Sequence, residues 1–212
     1  MIGVKEPTLF QDNRQQKAIH VQRVDPNPIE YLKALKQFTR LDWIKYILWV
    51  GMMLGLAAAT FTFLWIGHIN GANFPSYVWL IPICTMGFTL VISLDNIAHT
   101  VIYRDWISQS ELTIHKFTTS AGIGSNLALV LGYKYHDFFY VPILILIALS
   151  IVYSLIDEAI HWIRYSQGGS GLVEVTCHFF ILVFHPIMVF AWLKWYLDGY
   201  SGVAETLAAM GF

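Results

Sequence analysis

The chain has 212 residues, 56% of them hydrophobic and 13% charged, with a formal net charge of −1. A soluble domain carries about 45–50% apolar and about 25% charged residues. Half the usual charge excludes an ordinary soluble enzyme and a disordered tail, and the near-neutral balance excludes a nucleic-acid binder. Of the 27 Lys, Arg, Asp and Glu residues, 13 precede Tyr46, and none falls in 46–94. The stretches 138–156 and 175–193 are likewise free of them. Runs of that length suit the roughly 20 apolar residues that cross a bilayer.

In chain order, residues 1–25 are polar and mixed in charge, and read as an exposed arm rather than a signal peptide. Residues 28–40 (PIEYLKALKQFTR) predict a short amphipathic helix with Ile29, Leu32, Leu35 and Phe38 on one side. It suits either the headgroup region or a partner. Five spanning helices are expected near 43–67, 77–102, 112–133, 139–164 and 172–197. Turn residues separate the first two (HINGANFPS, 68–76) and the last two (QGGSG, 167–171). The middle of the third helix, TTSAGIGSN at 118–126, is small and hydroxylated, which suits close helix packing in lipid but lowers hydropathy. Trp43, Trp49, Trp79, Trp106, Trp162, Trp192 and Trp195 fall mostly near predicted helix ends, as interfacial anchors do. Cys84 and Cys177 sit in apolar segments and form neither a disulfide framework nor a CxxC site.

The fold class expected is all-α: a polytopic membrane protein of about five transmembrane helices, with an internal repeat of two helical hairpins and an N-terminal amphipathic helix. Residues 1–41 form the arm and interfacial helix, and 42–212 the membrane domain, with repeat units at about 77–133 and 139–197. Basic residues concentrate in the arm and recur at Arg104 and Arg164, so the positive-inside bias places the N-terminus in the cytoplasm.

The repeat is written in metal-ligand residues. Helix two ends with Asp95 and His99, and helix three opens with Glu111 and His115. Helix four ends with Asp157 and His161, and helix five opens with Glu174 and His178. The same DxxxH…ExxxH pattern recurs 62 to 63 residues on. Four residues is about one helical turn, so each acid–histidine pair shares a helix face. Imidazole with carboxylate suits copper, zinc or iron. An unpaired Asp95 or Asp157 at membrane depth would cost several kcal/mol, and a divalent cation is a fitting partner.

Plainer roles compete. Arg104 or Arg164 could pair with an Asp, and Glu111 and Glu174 could be solvated at their helix starts. Glu158, beside Asp157, points toward an outer shell, and His185, two turns beyond His178, could extend a site deeper. His20, His68 and His136 read as ordinary hydrogen-bonding histidines. No catalytic residue beyond the metal ligands is singled out.

The run Asp95-x3-His99-Thr-Val-Ile-Tyr-Arg104-Asp105, followed by a His on the next helix, resembles the C subunit of copper membrane monooxygenases. These are the particulate methane, ammonia and short-chain hydrocarbon monooxygenases. Asp157-Glu158-Ala-Ile-His161 followed by His178 is similar to the family's second site, with Asp157 where the family has Asn. The resemblance covers about 90 residues, from Asp95 to His185. It implies one copper site from Asp95, His99 and His115 and another from Asp157, His161 and His178. It further implies oxygen activation and hydroxylation of ammonia, methane or a short alkane. Arg104 and Asp105 would order the loop between ligand helices. The resemblance also implies a hetero-oligomer with a second membrane subunit and a cupredoxin-like subunit, in a prokaryotic cytoplasmic or intracytoplasmic membrane.

Two alternatives stay open. A metal-ion or proton transporter would use the carboxylates but predicts ligands near mid-bilayer. A b-type haem subunit would use the histidines and leave the carboxylates without a role.

Overall fold

The computed structural model describes residues 26–104 and 107–212; the arm at 1–25, Asp105 and Trp106 lie outside the described residues. Seven α-helices and no strands occur among these residues. They are α1 (Pro28–Ala34), α2 (Arg40–Ile69), α3 (Leu80–Ile97), α4 (Gln109–Gly132), α5 (His136–Ser166), α6 (Leu172–Leu197) and α7 (Val203–Ala209). The expected all-α polytopic fold is what the chain adopts. Four segments are long and apolar enough to cross a membrane: α2, Ser76–Ile102 around α3, α5 and α6. The fifth expected span is α4, which at 24 residues has the length but is less apolar. Its hydroxyls bond within the helix, Thr118 to the Ile114 carbonyl at 3.0 Å and Ser125 to the Gly122 carbonyl at 2.8 Å. That satisfies them at low cost in an apolar setting.

The amphipathic segment is divided. Asn27 and Glu30 form a reciprocal capping box that starts α1 at Pro28, and a single 3₁₀ turn (Leu35–Gln37) follows. Thr39 and Asp42 form a second capping box that starts α2, so the helix expected over 28–40 is cut short. The face turned inward is Tyr31, Ala34 and Phe38, packed on Ile97, Ala98 and Tyr103, while Ile29 and Leu32 face outward. Apolar residues occupy both faces, so periodicity alone did not identify the buried one.

Helices from different repeats pack together: α3 lies along α6, and α4 along α5. Glycines permit the close approach. A Cβ on Gly87 of α3 would meet the Phe184 ring of α6 at 2.7 Å, and one on Gly124 of α4 would meet Leu146 of α5 at 3.3 Å. At one end of the bundle the core is apolar and aromatic, built from Leu64, Ile81, Leu129, Ile143, Met188, Trp192 and Tyr196. At the other end, where α3 and α5 finish and α4 and α6 begin, the buried residues are ionisable.

Candidate metal centre

Each candidate ligand owes its place to a helix end. Glu111 and Glu174 both occupy the third position of their helices, α4 and α6, where the positive end of the helix dipole favours an anion. Ser108 caps α4 by accepting from the Glu111 amide at 3.1 Å, which leaves the Glu111 carboxylate free to turn inward. Asp95 and His99 lie at the close of α3, where a π-helical turn (Ala98–Ile102) widens the helix and the Tyr103 amide donates to the Ala98 carbonyl at 2.8 Å. Such turns cost regular hydrogen bonding and recur at functional sites. Asp157 and His161 sit one turn apart near the end of α5.

The eight repeated residues converge in one cluster. Asp95, Glu111, Asp157, His161, Glu174 and His178 are buried, and the side chains of His99 and His115 are 14% and 24% exposed. Ligand atoms of His99, His161, Glu174 and His178 all lie within 4.8 Å of one another, as do those of His99, Glu111, His115 and His161. The resemblance implied two sites, each inside one repeat. The structure brings both sets into one cluster and adds acid–histidine pairs across repeats: His178 Nε2 is 3.0 Å from Asp95 Oδ1, and His115 Nδ1 is 3.2 Å from Asp157 Oδ2. The cause is the packing of α3 on α6 and of α4 on α5.

Arg164 enters the same cluster. Its guanidinium donates to Glu111 Oε1 at 2.6 Å and to Glu174 Oε1, and it lies over the Tyr103 ring at 5.5 Å. The Tyr103 hydroxyl accepts from the Gly171 amide at 3.0 Å, which ties the α3–α4 and α5–α6 loops together over the site. The sequence suggested Arg164 only as a partner for an Asp; its partners are the two glutamates and His161 Nδ1, at 2.9 Å. Trp162, one turn after Glu158, donates its indole N–H to that carboxylate, a pairing that i,i+4 spacing could have indicated. Glu158 also stands 3.7 Å from His178 Nδ1 and lines the cavity beside the cluster.

Other candidates lie elsewhere. Arg104 is exposed and faces Asp42 at 3.7 Å. His136 stacks on Tyr196 at 4.4 Å between ring centroids, and His68 packs against Trp65 and Trp79. His20 and Asp105 fall outside the described residues. His185 is buried and lines a cavity of about 80 Å³ that opens beside the cluster. That cavity is walled by Asp95, His115, Asp157 and His178 together with Phe88, Ile92, Ile181 and Leu182.

A metal ion fits this donor set. His99 Nε2, His115 Nε2, His161 Nε2, Asp157 Oδ1 and Glu174 Oε2 are buried with no hydrogen-bond partner among the described residues. Buried polar atoms without partners are costly and rare, and five in one cluster of nitrogen and oxygen donors match what a cation would satisfy. His161 Nδ1 faces both Glu174 Oε1 at 3.1 Å and the Arg164 guanidinium at 2.9 Å, contacts that fix the ring and turn Nε2 toward the other donors, as supporting groups do for metal-bound histidines. Comparisons with protein-family models, with curated proteins and with solved structures give no match.

Proposed function

We propose that the chain is the metal-holding membrane subunit of an oxygen-activating monooxygenase of the copper membrane monooxygenase type, acting on a small substrate. The observation that carries this is the convergence of four histidines and four repeated carboxylates, buried beside a cavity of about 80 Å³. A dry cavity of roughly 150 Å³ holds benzene. One of about half that volume suits dioxygen, ammonia, methane or a short alkane. When bound, the metal would supply oxygen activation. The protein's own residues do the rest. Imidazoles and carboxylates fix the ligand geometry, Arg164 orients the glutamates, and Phe88, Ile92, Ile181 and Leu182 keep bulk water from the cavity.

A partner membrane subunit and a cupredoxin-like subunit belong to this proposal, as does placement in a prokaryotic membrane with the N-terminus cytoplasmic. One observation favours iron over copper: carboxylates equal histidines in number among the repeated residues, and mixed His/carboxylate sets from four helices are also how di-iron bundle proteins hold their metal.

The test is metal analysis with EPR on the complex purified from its native membrane. Copper or iron lost on His99→Ala and His161→Ala is the expected result. Haem absorbance with no other bound metal would overturn the proposal. Cation flux through the isolated chain in liposomes would point to transport.

A further inference from the structure

The cluster obeys a two-fold relation that the linear repeat does not reveal. Asp95 lies 3.4 Å from His99, and its counterpart Asp157 lies 3.7 Å from His161. His99 lies 3.7 Å from Glu174, and His161 lies 3.6 Å from Glu111. Asp95 lies 3.0 Å from His178, and Asp157 lies 3.2 Å from His115. These three contacts each have a twin, and in each of the last two pairs the partner comes from the other repeat; the 3.1 Å approach of His161 Nδ1 to Glu174 Oε1 stands outside the pattern.

We infer that this is a two-metal centre whose ligand sets are exchanged between repeats: Asp95, His99, Glu174 and His178 hold one ion, and Asp157, His161, Glu111 and His115 hold the other. The inference rests on reading the cluster as a metal centre, and it takes divalent first-row ions as the ligand class.

Ring geometry bears on which imidazoles can share an ion. With metal–nitrogen bonds of about 2.0–2.1 Å, two imidazoles on one ion place their centroids roughly 5–6 Å apart. Of the exchanged pairs, His115 and His161 lie within this range at 5.6 Å and His99 and His178 just beyond it at 6.3 Å; His99 and His161, one from each set, are 5.3 Å apart at the centre of the cluster. Within the second repeat, His161 and His178 stack face to face at 3.4 Å and 24°. Lone pairs lie in the ring planes, so two stacked rings direct them along parallel planes and not at one point. Within the first repeat, His99 and His115 meet edge to face at 4.6 Å and 83°. Such contacts suit ligands of neighbouring ions.

Charge supports the count. Asp95, Glu111, Asp157, Glu158 and Glu174 are all buried, and Arg164 is the cation among them. Five carboxylates against one guanidinium leave a formal charge of −4, which two divalent ions cancel and one does not. Arg164 then joins the two halves by holding one glutamate of each set.

The experiment is metal stoichiometry on the full chain in its purified complex, before and after reloading with Cu(II), with EPR for spin coupling. The wild type should hold two ions per chain and show a coupled pair. The double variant His115→Ala/His161→Ala, within one proposed set, should hold one ion. His99→Ala/His115→Ala, one residue from each set, should hold none. A reversal of those two counts would overturn the exchange, and a single uncoupled ion in the wild type would overturn the two-metal centre; both leave the metal reading standing. No bound ion in the wild type would overturn the metal reading itself. If the alanine variants fail to accumulate, the wild-type count and spin coupling decide the number, and the same pairs made as His→Gln decide the exchange.

Discussion

Asp95 and His178 are 83 residues apart in sequence and 3.0 Å apart in the structure, the last long helix closing on the first helix of the repeat. Removing one partner of a buried charged pair strands the other. His178→Ala should destabilise the metal-free protein by about 3–5 kcal/mol. Asp95→Asn combined with His178→Ala should cost less than the two single changes added, by about 0.5–3 kcal/mol. Denaturation in detergent, run as a double-mutant cycle, measures the coupling. Strict additivity would mean that the contact carries no energy.

Arg164 holds both glutamates, and its planar fork can engage two carboxylates where a lysine presents a point charge. Arg164→Lys should therefore destabilise the metal-free chain measurably, and Arg164→Gln more so, by several kcal/mol. Because added divalent ions compensate the same carboxylates, Cu(II) or Fe(II) should raise the melting temperature of Arg164→Gln more than that of the wild type. Thermal unfolding with and without metal checks this.

Gly122 lines the cavity beside the cluster, and a Cβ there would meet no heavy atom within 4 Å. Gly122→Leu should fill the cavity without a clash. Replacing a mid-helix glycine should leave stability equal or up to about 1 kcal/mol higher. Bound metal should be unchanged, while xenon uptake and oxidation of any small substrate should fall. Unaltered turnover in this variant would show that the cavity is not the substrate's place.

At the opposite end of the bundle, Lys194 donates to Asp198 at 2.8 Å and the Tyr77 hydroxyl donates to the same carboxylate. These bonds hold the Asp198 carboxyl below its ordinary value, Lys194 first and Tyr77 second. A lowered folded-state value means the contribution is fully present above the unfolded carboxylate pKa of about 3.9 and is lost as pH falls through the lower folded value. Acid should thus weaken the wild type more steeply than Asp198→Asn over that window, as read by melting temperature against pH.

Much of this architecture was legible in the sequence. Four of the span positions followed from uncharged runs, and the residues of the buried acid–histidine cluster from a spacing of four, because both depend on the local geometry of one helix. Which of these residues meet across the two repeats was not legible. It depends on α3 meeting α6 and α4 meeting α5, which Gly87 facing Phe184 and Gly124 facing Leu146 permit across long sequence separations. The inward face of α1 was hidden for a different reason: Ile29 and Leu32 are as apolar as Tyr31 and Phe38, and at a membrane boundary apolar residues are tolerated on either side. Arg164 was visible as a charge, but its grip on two glutamates depends on loop closure through Tyr103 and Gly171.

The crossing of the repeats also sets an order of assembly. Asp95 and His99 emerge from the ribosome early, yet His178, which meets Asp95, follows 83 residues later on the last long helix. During synthesis the first hairpin therefore precedes the partner of its acid, and the cluster is complete only once α6 has followed. If the cluster holds metal as proposed, ion loading waits until nearly the whole chain has been made.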